Sequence, residues 1–284
     1  MTESRNYGTF PWIPLPDPRR LRSYLNRLPL ATRGFLAVLT ILYVVSVIVP
    51  GIRQWGALIP MEIGLHTLYR LNTYPLLHWS IFHYLLNTIA FIPLLERFEL
   101  EHGTIVTTIL FTGPFGLLPG GIYTLLERYI FHFEGAAIGA SVWIFLLLSS
   151  EAMKMYRNNP YFSLGESVQI PTWTSPLFLM LLIHFLMPYS SLLGHLCGSV
   201  VGYAWGLGYI KFLAPPDGIL KWIEDKLNLL GRLPHFVSVD QKTFGRYGVL
   251  PTTNGGGGAA AAGGRPGLNG LAVGPVGSTQ RLGP

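Results

Sequence analysis

Six apolar stretches, each close to the length a helix needs to cross a bilayer, dominate the middle of this 284-residue chain. A span takes about 20 mostly apolar residues, because lipid offers the backbone no hydrogen-bond partners and tolerates only helices or closed barrels. The stretches run from Leu30 to Val49, Leu76 to Leu95, Thr104 to Leu126, Ala136 to Ala152, Ile170 to Met187 and Leu192 to Leu213. The third is interrupted by "TGPFGLLPGG"; the fifth is the weakest, since its unbroken part from Pro176 is short and carries His184. A charged fraction of 12% against 50% hydrophobic residues fits this reading, because soluble domains average about 25% charged. The pattern predicts an all-α membrane protein.

The charges fix an orientation. Arg19, Arg20, Arg22, Arg27 and Arg33 crowd before the first span, and Lys211, Lys221, Lys226 and Arg232 follow the last. A formal charge of +6 placed this way reads as juxtamembrane anchoring rather than a nucleic-acid face. An even number of spans then puts both termini in the cytosol, and Lys154 and Arg157 after span four fall on the same side. Spans two, four and six all enter from the lumenal or extracellular face. The polar, proline-rich start has no cleavable signal pattern, so the first span is expected to serve as the targeting signal.

The domain plan has residues 1–29 as a cytosolic N-terminal segment, 30–213 as the six-span core and 214–250 as a cytosolic juxtamembrane segment. Residues 251–284, rich in Gly, Ala and Pro, are expected to form a disordered tail. In the juxtamembrane segment, "GILKWIEDKLNLLGRL" is amphipathic, with Trp222, Ile223, Leu227 and Leu230 on one side.

Polar side chains inside spans are costly and mark function by default. Ser141, six residues past Gly135, is expected roughly 9 Å below the lumenal end of span four at about 1.5 Å per residue. His195 falls in the first turns of span six, and His83 and Asn87 lie one turn apart in the lumenal half of span two. All four can meet at one depth. Gly194, Gly198, Gly202 and Gly206 draw a bare stripe beside His195, and Gly135, Ala136, Gly139 and Ala140 surround Ser141. Small-xxx-small faces let helix backbones approach closely, which a serine-to-histidine hydrogen bond across two helices requires. The same stripes also serve plain helix packing, and a lone intramembrane histidine is more often satisfied structure than catalytic. The coincidence on three spans favours chemistry.

The segments "HWSIFHYLLN", "GAAIGASVW" and "GHLCGSVVG" resemble the signatures of the rhomboid intramembrane serine proteases, in the family's order, over about Leu30 to Leu213. The resemblance implies a six-transmembrane-helix rhomboid core, Ser141 as nucleophile and His195 as general base and acid. It further implies an oxyanion hole from His83, Asn87 and the Ser141 backbone N–H. His78 matches a histidine with a less direct role, and Phe145 stands where the family often has a tyrosine beneath the catalytic histidine. Two departures stand out: Val142 replaces the usual glycine after the serine, and no Trp-Arg pair precedes span two, although Trp55 and Arg70 are present. The C-terminal segment is similar to that of fungal rhomboids of the Golgi, which implies a Golgi membrane location. Implied partners are the lipid bilayer and membrane-protein substrates with transmembrane helices.

Other chemistries fit less well. The four aspartates lie outside the spans, so a Ser/His dyad is expected in place of a triad. The eight histidines include no HExxH pair, so no metal is expected, nor any cofactor. Cys197 projects away from His195 and reads as a packing residue; being the only cysteine, it forms no intrachain disulfide. An inactive rhomboid-like chaperone or client-binding protein is the main alternative, and a small transporter with intramembrane histidines is the other. His184 reads as interhelical glue or a water-lining group. The terminal "GSTQRLGP" resembles the end of a docking box for a cytosolic AAA ATPase, without the aromatic residue such a box carries.

Overall fold

The computed structural model describes residues 18–49, 51–132, 135–164, 168–187 and 190–242. The expected disordered tail and the "GSTQRLGP" segment lie outside the described residues. A short helix α1 (Pro18–Leu25) leads into α2 (Leu30–Ile48), and α3 (Gly51–Gly56) and α4 (Arg70–Thr73) punctuate a long connection to α5 (Ile81–His102). The third span is α6 (Thr104–Thr112) and α7 (Pro114–Leu126), broken at Gly113, where Pro114 cannot donate into the preceding turn; a π turn extends it to Phe131. Helix α8 (Ser141–Asn158) is followed by a hairpin of β1 (Tyr161–Leu164) and β2 (Val168–Pro171), antiparallel with Tyr161 opposite Pro171. Then come α9 (Ser175–Leu186), α10 (Leu192–Leu207), α11 (Asp217–Leu227) and α12 (Leu229–Arg232).

By length and composition, Leu30–Ile48 and Thr104–Phe131 are each long and apolar enough to cross a membrane, with mean hydropathies of 2.0 and 1.5. The remaining rods carry internal charge or are short. The boundaries correct the expected spans. Helix α5 starts later than Leu76 and continues past Leu95, because Glu96, Arg97 and Glu101 find partners: Tyr24 Oη donates to Glu96 at 2.8 Å, and Arg97 pairs with Glu101 and, at 2.9 Å, with Glu151. The fourth helix starts at Ser141 and not at Ala136, since residues 135–140 are held as an extended segment. The fifth gives Val168–Pro171 to a strand, and the sixth ends at Leu207, where Gly208 takes φ +94°.

The core is aromatic. Phe35, Phe91, Phe98, Phe111, Phe115, Trp143 and Trp205 interlock, with ring centroids between 5.2 and 6.4 Å apart. Trp143 Nε1 donates to the Phe115 carbonyl at 3.1 Å, so the largest buried ring of α8 is also satisfied. This packing locks α8 between α2, α5, α7 and α10, leaving its first turn at the open end of the bundle.

At the other end, Glu99 is fully buried and caps α2. Its carboxylate accepts from Ala31 N (2.8 Å), Thr32 N (2.7 Å), Thr32 Oγ1 (2.8 Å) and Thr104 Oγ1 (2.7 Å). The chain after α12 returns to this end. Leu30 N donates to His235 O, Thr104 N to Val237 O, and Val239 N to Glu224. Phe236, Val237, Ser238 and Val239 are buried. Residues 235–239 therefore form a strap across the starts of α2 and α6. In the amphipathic segment Leu220 and Glu224 are the buried residues, while Trp222, Leu227 and Leu230 are exposed.

Candidate active site

The segment before Ser141 is pinned strand-fashion. Leu58 and Ala137 exchange both backbone hydrogen bonds at 2.9 Å, Gly139 N donates to Tyr74 O at 2.8 Å, and Ala140 N donates to His78 Nε2 at 3.4 Å. The loop holding Leu58 is itself fixed by Arg70, which donates to Ala57 O at 3.2 Å and pairs with Glu62 at 2.9 Å. Trp55 stacks on Tyr69 beside it. Gly139 has no substitute: its φ is +119°, and a Cβ there would lie 2.6 Å from the His83 ring. The ring of His83 thus lies directly against the approach to Ser141. Ala140 offers no side-chain cap, and among the described residues the amides of Ser141 and Val142 have no hydrogen-bond partner.

Helices α8 and α10 run parallel in contact. A Cβ on Gly198 would sit 2.3 Å from Val142 O, one on Gly202 2.1 Å from Leu146 O, and one on Gly206 3.0 Å from Ser150 O. The contacts advance by one turn on both helices together. Extended back by one turn, the same register puts His195 level with the residues just before Ser141, within about 3 Å along the axis at 1.5 Å per residue. Ser141 and His195 line the same two cavities. One, of about 410 Å³, is also walled by Ser80, His83, Gly139, Ser190 and Ser191; the other, of about 790 Å³, by Phe82, Leu86, Asn87, Phe145, Ile183 and Leu186. The Phe145 ring packs on His195 with centroids 4.5 Å apart. No hydrogen bond joins Ser141 to His195 among the described residues, and His195 Nδ1 is buried without a partner.

Asn87 turns its amide onto its own helix, donating from Nδ2 to His83 O at 2.8 Å. Val142 is buried toward Gly198, so its side chain faces α10 and its N–H remains free at the helix start. Cys197 is buried and unpaired. Among the described residues no group of three or more His, Cys, Asp or Glu is placed to hold a metal. Leu58 and Tyr74 position the site without a motif of their own, whereas Arg70, named from the sequence in the search for a Trp-Arg pair, fixes the loop that holds Leu58.

The rhomboid domain model matches residues 65–212, which includes Ser141, His195 and both cavities. The chain belongs to the rhomboid family. It is 54% identical over 273 residues to rhomboid-type serine protease B of Aspergillus fumigatus, covering 95% of this chain and 97% of that protein. Rhomboid-type serine protease 2 of Neurospora crassa is 51% identical over 272 residues, with 94% and 95% covered. The similarly named protein of Saccharomyces cerevisiae is 34% identical over 205 residues, covering 71% of this chain and 77% of that protein. This rhomboid is an integral membrane serine protease, a hydrolase.

Proposed function

We propose that this rhomboid cleaves peptide bonds within or beside the transmembrane segments of membrane-protein substrates through a Ser141–His195 dyad. The single observation that carries the reading is the shared wall: a nucleophile and a base from two parallel helices, held in register by glycines, face the same two cavities. Ser141 Oγ attacks the scissile carbonyl carbon while His195 Nε2 takes its proton, giving a tetrahedral oxyanion. The free N–H groups of Ser141 and Val142, with His83 and Asn87 alongside, are the donors available to that oxyanion; such preorganised donors are worth about 3 kcal/mol each. Collapse expels the amine, which takes the proton from His195, and leaves an acyl-enzyme on Ser141. A water, deprotonated by His195, then hydrolyses the ester and restores the serine.

The smaller cavity has serine and histidine walls, which suit water and an unwound peptide. The larger runs between α5 and α9 past apolar Phe82, Leu86, Leu94 and Ile183, which suits a helix arriving sideways from lipid. Helix α9 spans only Ser175–Leu186, the shortest rod facing the cavity, and is the element we assign to gating. The basic clusters before α2 and after α10 support cytosolic termini, a core of residues 30–213 flanked by cytosolic segments, and a lumenal site; the likeness of the C-terminal segment to that of fungal Golgi rhomboids supports a Golgi membrane. Docking of an AAA ATPase rests on residues outside those described. Reconstitution with a labelled transmembrane reporter tests the assignment. Native protein should release the fragment, and Ser141→Ala and His195→Ala should each leave it intact. Cleavage that survives either substitution removes the dyad.

A further inference from the structure

Among the described residues, three buried polar atoms on α9 and α10 have no hydrogen-bond partner: His195 Nδ1, Ser199 Oγ and His184 Nδ1. Ser199 is 0% exposed and His195 4%. Ser199 follows His195 by one turn of α10, so the two share a face. His184 comes from α9, which packs on α10. Phe145 packs against the His195 ring, with centroids 4.5 Å apart. Buried polar groups in folded proteins are almost always paired, either with protein or with an ordered water that makes about three bonds.

The pairing bears on chemistry. A histidine that accepts the serine proton on Nε2 must carry its other proton on Nδ1, and an acceptor there fixes the tautomer and steadies the imidazolium. Serine proteases with a triad use a carboxylate. No carboxylate bonds His195 among the described residues.

We propose that Ser199 and His184 orient His195 through one shared buried water. The water accepts the Nδ1–H of His195 and donates to Ser199 Oγ and to the unprotonated Nδ1 of His184, which satisfies all three groups. Ser199 and His184 are positioning residues and do not touch the substrate. The assignment rests on Ser141 and His195 acting as above.

Steady-state cleavage of a transmembrane peptide by the full-length protein in detergent tests it. Ser199→Ala should lower kcat about tenfold, the size of one lost hydrogen bond in the transition state, with KM within about twofold. Ser199→Thr, which keeps the hydroxyl, should recover most of the loss. His184→Leu should cost a similar factor, and the double variant no more than either single one, because each removes the same bridge. Ser150→Ala deletes another buried hydroxyl, on α8, that is unpartnered among the described residues, and should leave kcat within about twofold. Native kcat in Ser199→Ala, or multiplicative losses in the double variant, overturn the bridge while leaving the dyad intact; undiminished cleavage by Ser141→Ala overturns the dyad itself. Should the Ser199 variants fail to fold, nitrogen-15 spectra of the native protein decide: a slowly exchanging His195 Nδ1–H supports the bridge, and an Nε2–H tautomer overturns it.

Discussion

Glu99 and His195 are both buried in the helix bundle, at opposite ends, and their surroundings differ in kind. Glu99 receives four hydrogen bonds from two elements, and nearby Glu101 is paired with Lys154 and Arg97. The strap at 235–239 adds backbone pairing to α2 and α6. At the other end, among the described residues, His78 Nδ1 and His195 Nδ1 lack partners, and the first amides of α8 are free. A saturated carboxylate stabilises by giving every donor an acceptor; an unsaturated site holds donors and acceptors ready for a substrate. The bundle is braced at one end so that it can remain chemically open at the other.

Substitutions at the helix contact should break this division most severely. Gly202→Ala places a methyl 2.1 Å from Leu146 O, and the only relief is to part α8 from α10. Proteolysis should fall more than about 100-fold, the effect of roughly an ångström of misplacement, whereas Gly34→Ala, which meets nothing within 4 Å, should match the native rate. Next in size, Glu99→Ala should cost about 3 kcal/mol in denaturant unfolding, because it strands buried donors. Its kcat per folded molecule should stay within about twofold. A fall in kcat as large as that of Gly202→Ala would show that the two ends are coupled rather than separate.

Smaller effects sharpen the picture at the site. His78→Phe keeps a ring but removes the acceptor of the Ala140 amide, and should lower kcat about tenfold while costing about 1 kcal/mol of stability. Val142→Gly should cost about 1 kcal/mol through helix propensity and lost packing, with kcat/KM within about threefold, since the valine side chain faces α10 and not the free amides. A large gain in kcat/KM would instead mean that Val142 obstructs the site.

Much of this was legible in the sequence because membrane spans leave a length signal and close helix contacts leave glycines. Gly198 and Gly202 meet α8 backbone as their spacing implies. Residues 135–140 misled for a physical reason: their small side chains suit a thin helix, but Leu58 claims Ala137 in a long-range bridge that no local pattern records. The end of α5 was hidden because charged residues mimic the edge of a span when their partners, such as Glu151 and Lys154, lie far away in sequence. The strap at 235–239 is too short to show a period, and two of the four donors to Glu99 are backbone amides, which carry no residue identity.

The most direct measurement is covalent. The detergent-solubilised protein would be treated with a serine-directed fluorophosphonate, and the modified peptide located by mass spectrometry in native, Ser141→Ala and His195→Ala forms. Modification of Ser141 in the native protein alone is the expected result. Equal modification of all three forms, or label on any other serine, contradicts the account.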